Sequence, residues 1–128
     1  MPTYLSQEWL DLQRALAEGL PERPGATARV QLVITGAPGG DVRYHQTTVD
    51  GRLLDLELGD DPDAEVTLTH TYAVAMDIAT GALDANAAFM QGRVKIVGPM
   101  GAVMALIPLT QSAEYSDVLA TLTAQTTY

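Results

Sequence analysis

Apolar residues recur at Leu5, Trp9, Leu12, Leu16 and Leu20, a spacing that keeps them on one face of a helix, with Ser6 placed to cap its first turn. Gly19 and residues 21–25 end it. From 29 to 35 the period falls to two: Val30, Leu32 and Ile34 share one face, and Arg29, Gln31 and Thr35 the other, as in a half-buried strand. The glycine-rich residues 36–40 turn the chain into a second strand over 42–49. Asp50-Gly51 predicts a tight hairpin, since both turn residues must take positive φ. The third strand places Leu54, Leu56 and Leu58 inward, and a fourth groups Val66, Leu68 and His70. Short connections between these four strands predict an antiparallel meander.

The second half changes period. Tyr72, Met76, Ala79 and Leu83 fit one face of a helix ending near Gly81, and Asp84 can cap a short helix through Phe89. Residues 92–97 predict a fifth strand, Val94 and Ile96 inward and Arg93 and Lys95 outward. Pro99 suits the first position of the next helix, where its missing N–H costs nothing. The apolar positions of that helix are Met100, Val103, Met104 and Ile107; Tyr115, Val118, Leu119 and Leu122 mark a last one. The order reads as one α+β domain over 1–128.

With 128 residues and 47% apolar content, the chain can bury one core, built mainly from aliphatic side chains. A net charge of −9, with only seven basic residues, argues against nucleic acid and against electrostatic docking on an anionic membrane. No apolar run is long enough to span a bilayer, and no basic-then-apolar leader opens the chain. Zero cysteines exclude thiolate chemistry and are compatible with a reducing cytoplasm, the expected location. The second strand, with Thr47 and Thr48, reads as polar on both faces; an edge strand or a homodimer surface would account for it.

Candidate chemistry is thin. Residues 36–40 lack the Gly-Lys-Ser/Thr ending of a phosphate loop and read as a plain turn. Asp60, Asp61, Asp63 and Glu65 lack the central glycine of a calcium loop and read as a solvated acidic turn, so no metal or cofactor is expected. His45, His70 and Asp77 are the acid–base groups available to an enzyme, but they form no recognisable catalytic motif. His70 shares the inward face of its strand and can give a cavity a polar edge. Four of five methionines, Met76, Met90, Met100 and Met104, fall in the second half, where flexible thioethers suit either core filling or an adaptable apolar ligand surface.

One stretch is more specific. Thr80-Gly81, then Ala88-Phe89-Met90-Gln91-Gly92-Arg93-Val94-Lys95, then Gly98-Pro99-Met100-Gly101 before an apolar helix, resembles the signature of the sterol carrier protein 2 family. Asp50-Gly51-Arg52-Leu53, residues 64–69 and the opening at 5–10 extend the resemblance over nearly the whole chain. It implies a five-stranded, mostly antiparallel sheet layered with helices, and an apolar tunnel taking fatty acids, acyl-CoA or sterols. It also implies that Met76, Phe89, Met90, Gln91, Met100, Val103, Met104 and Ile107 border the ligand, with Gln91 nearest a polar head group. The expected function is a non-enzymatic carrier of an apolar small molecule; the alternative is an enzyme, or an enzyme's accessory, using the same cavity. The ending Thr126-Thr127-Tyr128 is unlike the Ser-Lys-Leu signal of peroxisomal members.

Overall fold

The structure, a computed structural model, describes residues 2–127, with the side chains of residues 85 and 86 excepted; Tyr128, the last residue of the C-terminal signal comparison, lies outside them. The elements run α1 (Gln7–Ala17), β1 (Ala28–Thr35), β2 (Val42–Val49), β3 (Arg52–Leu58), β4 (Val66–Thr71), α2 (Tyr72–Ala79), α3 (Ala85–Met90), β5 (Lys95–Val97), α4 (Met100–Thr110) and α5 (Ala113–Ala124). They form one five-stranded sheet in the order β3-β2-β1-β4-β5. Helices cover one face, the inner face. There Ile34, Tyr44 and Leu56 pack with Leu10 and Trp9 of α1, Ala75 of α2 and Leu122 of α5.

Local signals explain most elements. Ser6 accepts from the Trp9 N–H at 3.2 Å and so starts α1. Asp50 and Gly51 both take positive φ, 49° and 83°, and close the β2–β3 hairpin.

Several expectations need correction. Only β1, β2 and β3 form an antiparallel meander; β4 crosses over and pairs with β1 in parallel, Val30 opposite Val66 and Ile34 opposite His70. β2 is not an edge strand but lies between β1 and β3, and Thr48 is fully buried, its hydroxyl accepting from the Gln46 side-chain amide. In β3 the register shifts opposite Thr47 and Thr48, leaving Leu54 as the extra residue of a β-bulge. Leu53 and Leu56 therefore face the core, while Leu54 and Leu58 are exposed. α2 stops at Ala79, leaving Leu83 beyond it. Pro99 is the N-cap of α4, with an extended ψ of 127°, rather than its first helical residue.

β5 is half the expected length. The Gly92 N–H donates to the Phe89 carbonyl and the Arg93 N–H to that of Ala88, with Gly92 at φ 73°. This is a Schellman closure of α3, which commits the backbone of residues 91–93 to the helix end.

The crossover from β3 to β4 runs beneath the outer face. Gln31, buried there, donates to the carbonyls of Tyr44 and Gly59 at 3.0 and 3.1 Å and accepts from the Asp61 N–H at 2.7 Å. The Asp61 carboxylate accepts from the Asp63 N–H and pairs with Arg29, which together hold it below the usual aspartate range. Asp60 pairs with Arg43. The acidic loop is thus a strap with its own cations.

Gly98 turns β5 into α4 at φ 129°. A Cβ there would stand 2.6 Å from the Glu65 carbonyl oxygen and 2.9 Å from Val66 Cα, both backbone atoms. Gly92 needs positive φ but has open space around it. Gly92→Ala should therefore cost about 1–2 kcal/mol, the strain of the left-handed conformation alone. Gly98→Ala should cost distinctly more, because β5 must separate from β4. Urea denaturation of both variants checks the order; equal losses would refute the close approach.

Candidate functional site

Large apolar side chains are covered unevenly. Where α1 lies on β1–β3, Leu10, Ile34 and Leu56 are fully buried. On the half built from β4, β5 and α2 to α4, Val66 and Leu109 are buried, the latter against Leu20 and Ala26, and the other fully covered side chains are the small ones of Ala75, Ala88 and Ala102. Around Ala102 and the strand residues Ala28, Val30 and Val66, the side chains of Leu32, Leu68, Ile96, Val103 and Leu106 pack but remain half-buried. Large apolar groups surrounding buried alanines leave a surface that an apolar molecule can complete.

The sheet and the caps place these residues. Leu68 stands between Leu32 and Ile96 across the inner face. Thr71 accepts from the Val74 N–H and starts α2 directly off β4. Asp84 accepts from the Ala87 N–H and starts α3. α4 turns Ala102 and Leu106 toward the sheet with Val103 beside them, and buries Leu109 against Leu20 and Ala26.

The residues expected to border a ligand divide into two groups. Met76, Phe89, Val103 and Ile107 are half-buried. Met90, Gln91, Met100 and Met104 are exposed, at 84% for Met90 and 60% for Met104. Gln91 is the C-cap of α3, donating its N–H to Ala87. Leu32, Leu68, Ile96 and Leu106 were not singled out as ligand-facing in the sequence. Strand alternation marks Leu32, Leu68 and Ile96 as inward but does not distinguish a half-covered leucine from a sealed one, and Leu106 lies outside the apolar positions expected for α4.

Two surface clefts lie elsewhere on the molecule. One, of about 490 Å³, lies between residues 22–26 and Met104, Ala105 and Pro108 of α4. The other, of about 440 Å³, is lined by Pro2, Glu8, Leu12 and Gln125. Neither is lined by the half-covered cluster.

Polar groups on the inner face are few. His70 is half-buried, its Nδ1 is buried without a hydrogen-bond partner among the described residues, and burial pushes its pKa down. Burial likewise pushes the Tyr44 and Tyr115 hydroxyls up, so both stay neutral. His45 pairs with Gln31, three residues from the partner of His70 on β1, so the two histidines lie on opposite faces of the sheet. Asp77 is exposed on α2. The three acid–base candidates do not come together. Among the described residues no cluster of three or more carboxylates or histidines could hold a metal ion, and no helix is long and apolar enough to cross a membrane.

The fold has clear relatives among solved structures. It superposes on the crystal structure of sterol carrier protein 2 with a TM-score of 0.68 at 14% identity, covering 95% of this chain and 98% of that one. The palmitated sterol carrier protein 2-like 2 of Aedes aegypti gives 0.63 at 18% identity, covering 84% and 92%. The apo sterol carrier protein 2 of Yarrowia lipolytica gives 0.59 at 17%, covering 81% and 94%. No curated protein matches significantly. At these identities the superpositions establish the fold, but the model of the SCP-2 sterol transfer family matches the sequence itself over residues 11–111. The chain belongs to the SCP-2 sterol transfer family.

Proposed function

We propose that this protein binds an apolar small molecule, a fatty-acyl or sterol-like lipid, between the inner face of β4–β5 and α4, and carries or sequesters it. The observation that carries the reading is the half-covered cluster of Leu68, Ile96, Val103 and Leu106 around buried Ala102. Family membership and the palmitated Aedes aegypti relative support the same ligand class. In this reading Met76, Phe89, Val103 and Ile107 form the wall of the tunnel and Met90, Gln91, Met100 and Met104 its rim. Gln91 offers both donors and an acceptor to a head group there. Each methylene moved out of water contributes about 0.8 kcal/mol, so a long chain needs few polar contacts. Chemistry is not required of the site, and the separation of His45, His70 and Asp77 favours a carrier over a catalyst.

A fluorescent fatty acid should bind saturably and be displaced by unlabelled lipid; absence of competition at micromolar lipid would count against the carrier reading. Val103→Trp then separates a ligand space from a filled core. In a ligand space the indole takes the place of lipid, so binding falls sharply while the melting temperature changes little. In a filled core overpacking costs roughly 1–3 kcal/mol, and the melt reports it.

The inner face also sets a pH dependence. His70 has its folded pKa lowered by burial, so below an unfolded value of about 6.5 the unfolded chain takes up more protons. Its contribution to stability is complete above that pH and declines as pH falls from there toward the folded pKa. Denaturation midpoints measured from pH 7.5 down to 5 should fall less for His70→Gln than for the parent chain. Parallel pH curves would show that His70 is solvated.

A further inference from the structure

We propose that His70 is the polar anchor of the ligand space and selects lipids ending in a hydroxyl over those ending in a carboxylate. The inference rests on the carrier reading and names the polar end of the ligand.

The strand register sets rows of side chains across the inner face of β1, β4 and β5. Val30 lies beside Val66, Leu32 beside Leu68 and Ile96, and Ile34 beside His70. α4 buries Ala102 with Val30 and Val66 of the first row, while α2 buries Ala75 with Ile34 of the last, in a separate cluster. Those two rows are about 13 Å apart, four residues at roughly 3.3 Å each. Helices in direct contact stand only about 8–10 Å apart. The middle row therefore lies in a slot between α2 and α4, and Leu32, Leu68 and Ile96 are all half-buried there. His70 stands on the α2 margin of that slot, one row from Leu68. Its Nδ1 is buried without a hydrogen-bond partner among the described residues.

The walls of the slot carry no cation. α2, α3 and α4 contain no lysine or arginine, and their one carboxylate, Asp77, is exposed. Among the described residues, no inner position of β1, β4 or β5 holds a lysine or arginine. Lys95 lies opposite Thr69 on the outer face, where Arg29 and Arg43 pair with Asp61 and Asp60. Arg14 bonds the Leu54 carbonyl at the far edge of the sheet, Arg23 pairs with Glu114, and Arg93, past the end of α3, is exposed. A carboxylate drawn into the slot is thus a buried charge with no counter-ion, far costlier than a buried hydroxyl. Burial also lowers the His70 pKa, which keeps the ring neutral. A neutral ring has Nδ1 as donor in one tautomer and acceptor in the other. A hydroxyl can answer either; a carboxylate answers only the first.

The test is displacement of diphenylhexatriene, a hydrocarbon fluorophore, by dodecanol, chlorododecane or dodecanoate at pH 8, above the ordinary histidine value of about 6.5. Dodecanol should act at roughly tenfold lower concentration than dodecanoate. His70→Phe should weaken dodecanol roughly five- to tenfold, the loss of one hydrogen bond, and weaken chlorododecane, which has no hydroxyl, distinctly less. His70→Asn, which keeps a donor and an acceptor near the Nδ1 position, should recover part of that loss. Thr69→Val, on the outer face of the same strand, should change neither. Dodecanoate acting as strongly as dodecanol overturns the proposal. So does a His70→Phe variant that weakens dodecanol and chlorododecane alike, or neither, which makes His70 a structural histidine only. The comparison of alcohol with acid uses the parent chain, so it decides even where a thermal melt shows the variant misfolded. If neither the fluorophore nor dodecanol binds the parent chain, the carrier reading itself falls; if both bind without discrimination, only the role of His70 does.

Discussion

β1 carries the apolar surface that the rest of the fold must cover. Val30 and Ile34 are buried on its inner face and Gln31 and Val33 on its outer face, so the strand is sealed from both sides. That position requires a neighbour on each flank, which β2 supplies by a hairpin and β4 only by crossing over. Once β4 lies parallel to β1, the inner face is too wide for α1 alone, and α2, α4 and α5 complete the layer. α2 and α4 bury Ala75 and Ala102 there, small side chains that let the helices lie near the sheet, and α5 buries Leu122, while Leu32, Leu68, Ile96, Val103 and Leu106 stay half-covered.

Much of this was legible in the sequence, because local rules and global fold agree there. The alternation of β1, the Ser6 and Asp84 caps and the Asp50-Gly51 hairpin are fixed by residues within four positions of one another. What was not legible depends on partners distant in sequence. Parallel pairing of β4 leaves no trace in its own alternation. The bulge at Leu54 shifts the inward face within β3, which a strict period of two cannot express. β2 looks polar from both sides because Gln46 and Thr48 satisfy each other, with a hydrogen bond of 3.2 Å, inside the layer.

The family signature is partly explained by backbone geometry. In Gln91-Gly92-Arg93 the glycine closes α3 and redirects the chain into β5. In Gly98-Pro99-Met100 the first residue lets β5 lie against β4, and the second sets the extended entry to α4. These positions build the walls around a ligand without having to touch it. The same motif was the most specific signal in the sequence, which is why the fold could be read more securely than the contacts.

The strap under Gln31 has a mechanical consequence. One amide side chain joins β1, β2 and the crossing loop, and α1 adds bonds to β3, where Gln7 bridges the Leu56 carbonyl and the Leu58 N–H. The sheet is thereby stiffened from beneath like a decked hull, while among the described residues no hydrogen bond fastens α4 to the strands below it. The strands thus form the firmly tied floor of the molecule, and α4 is held over them by side-chain packing alone.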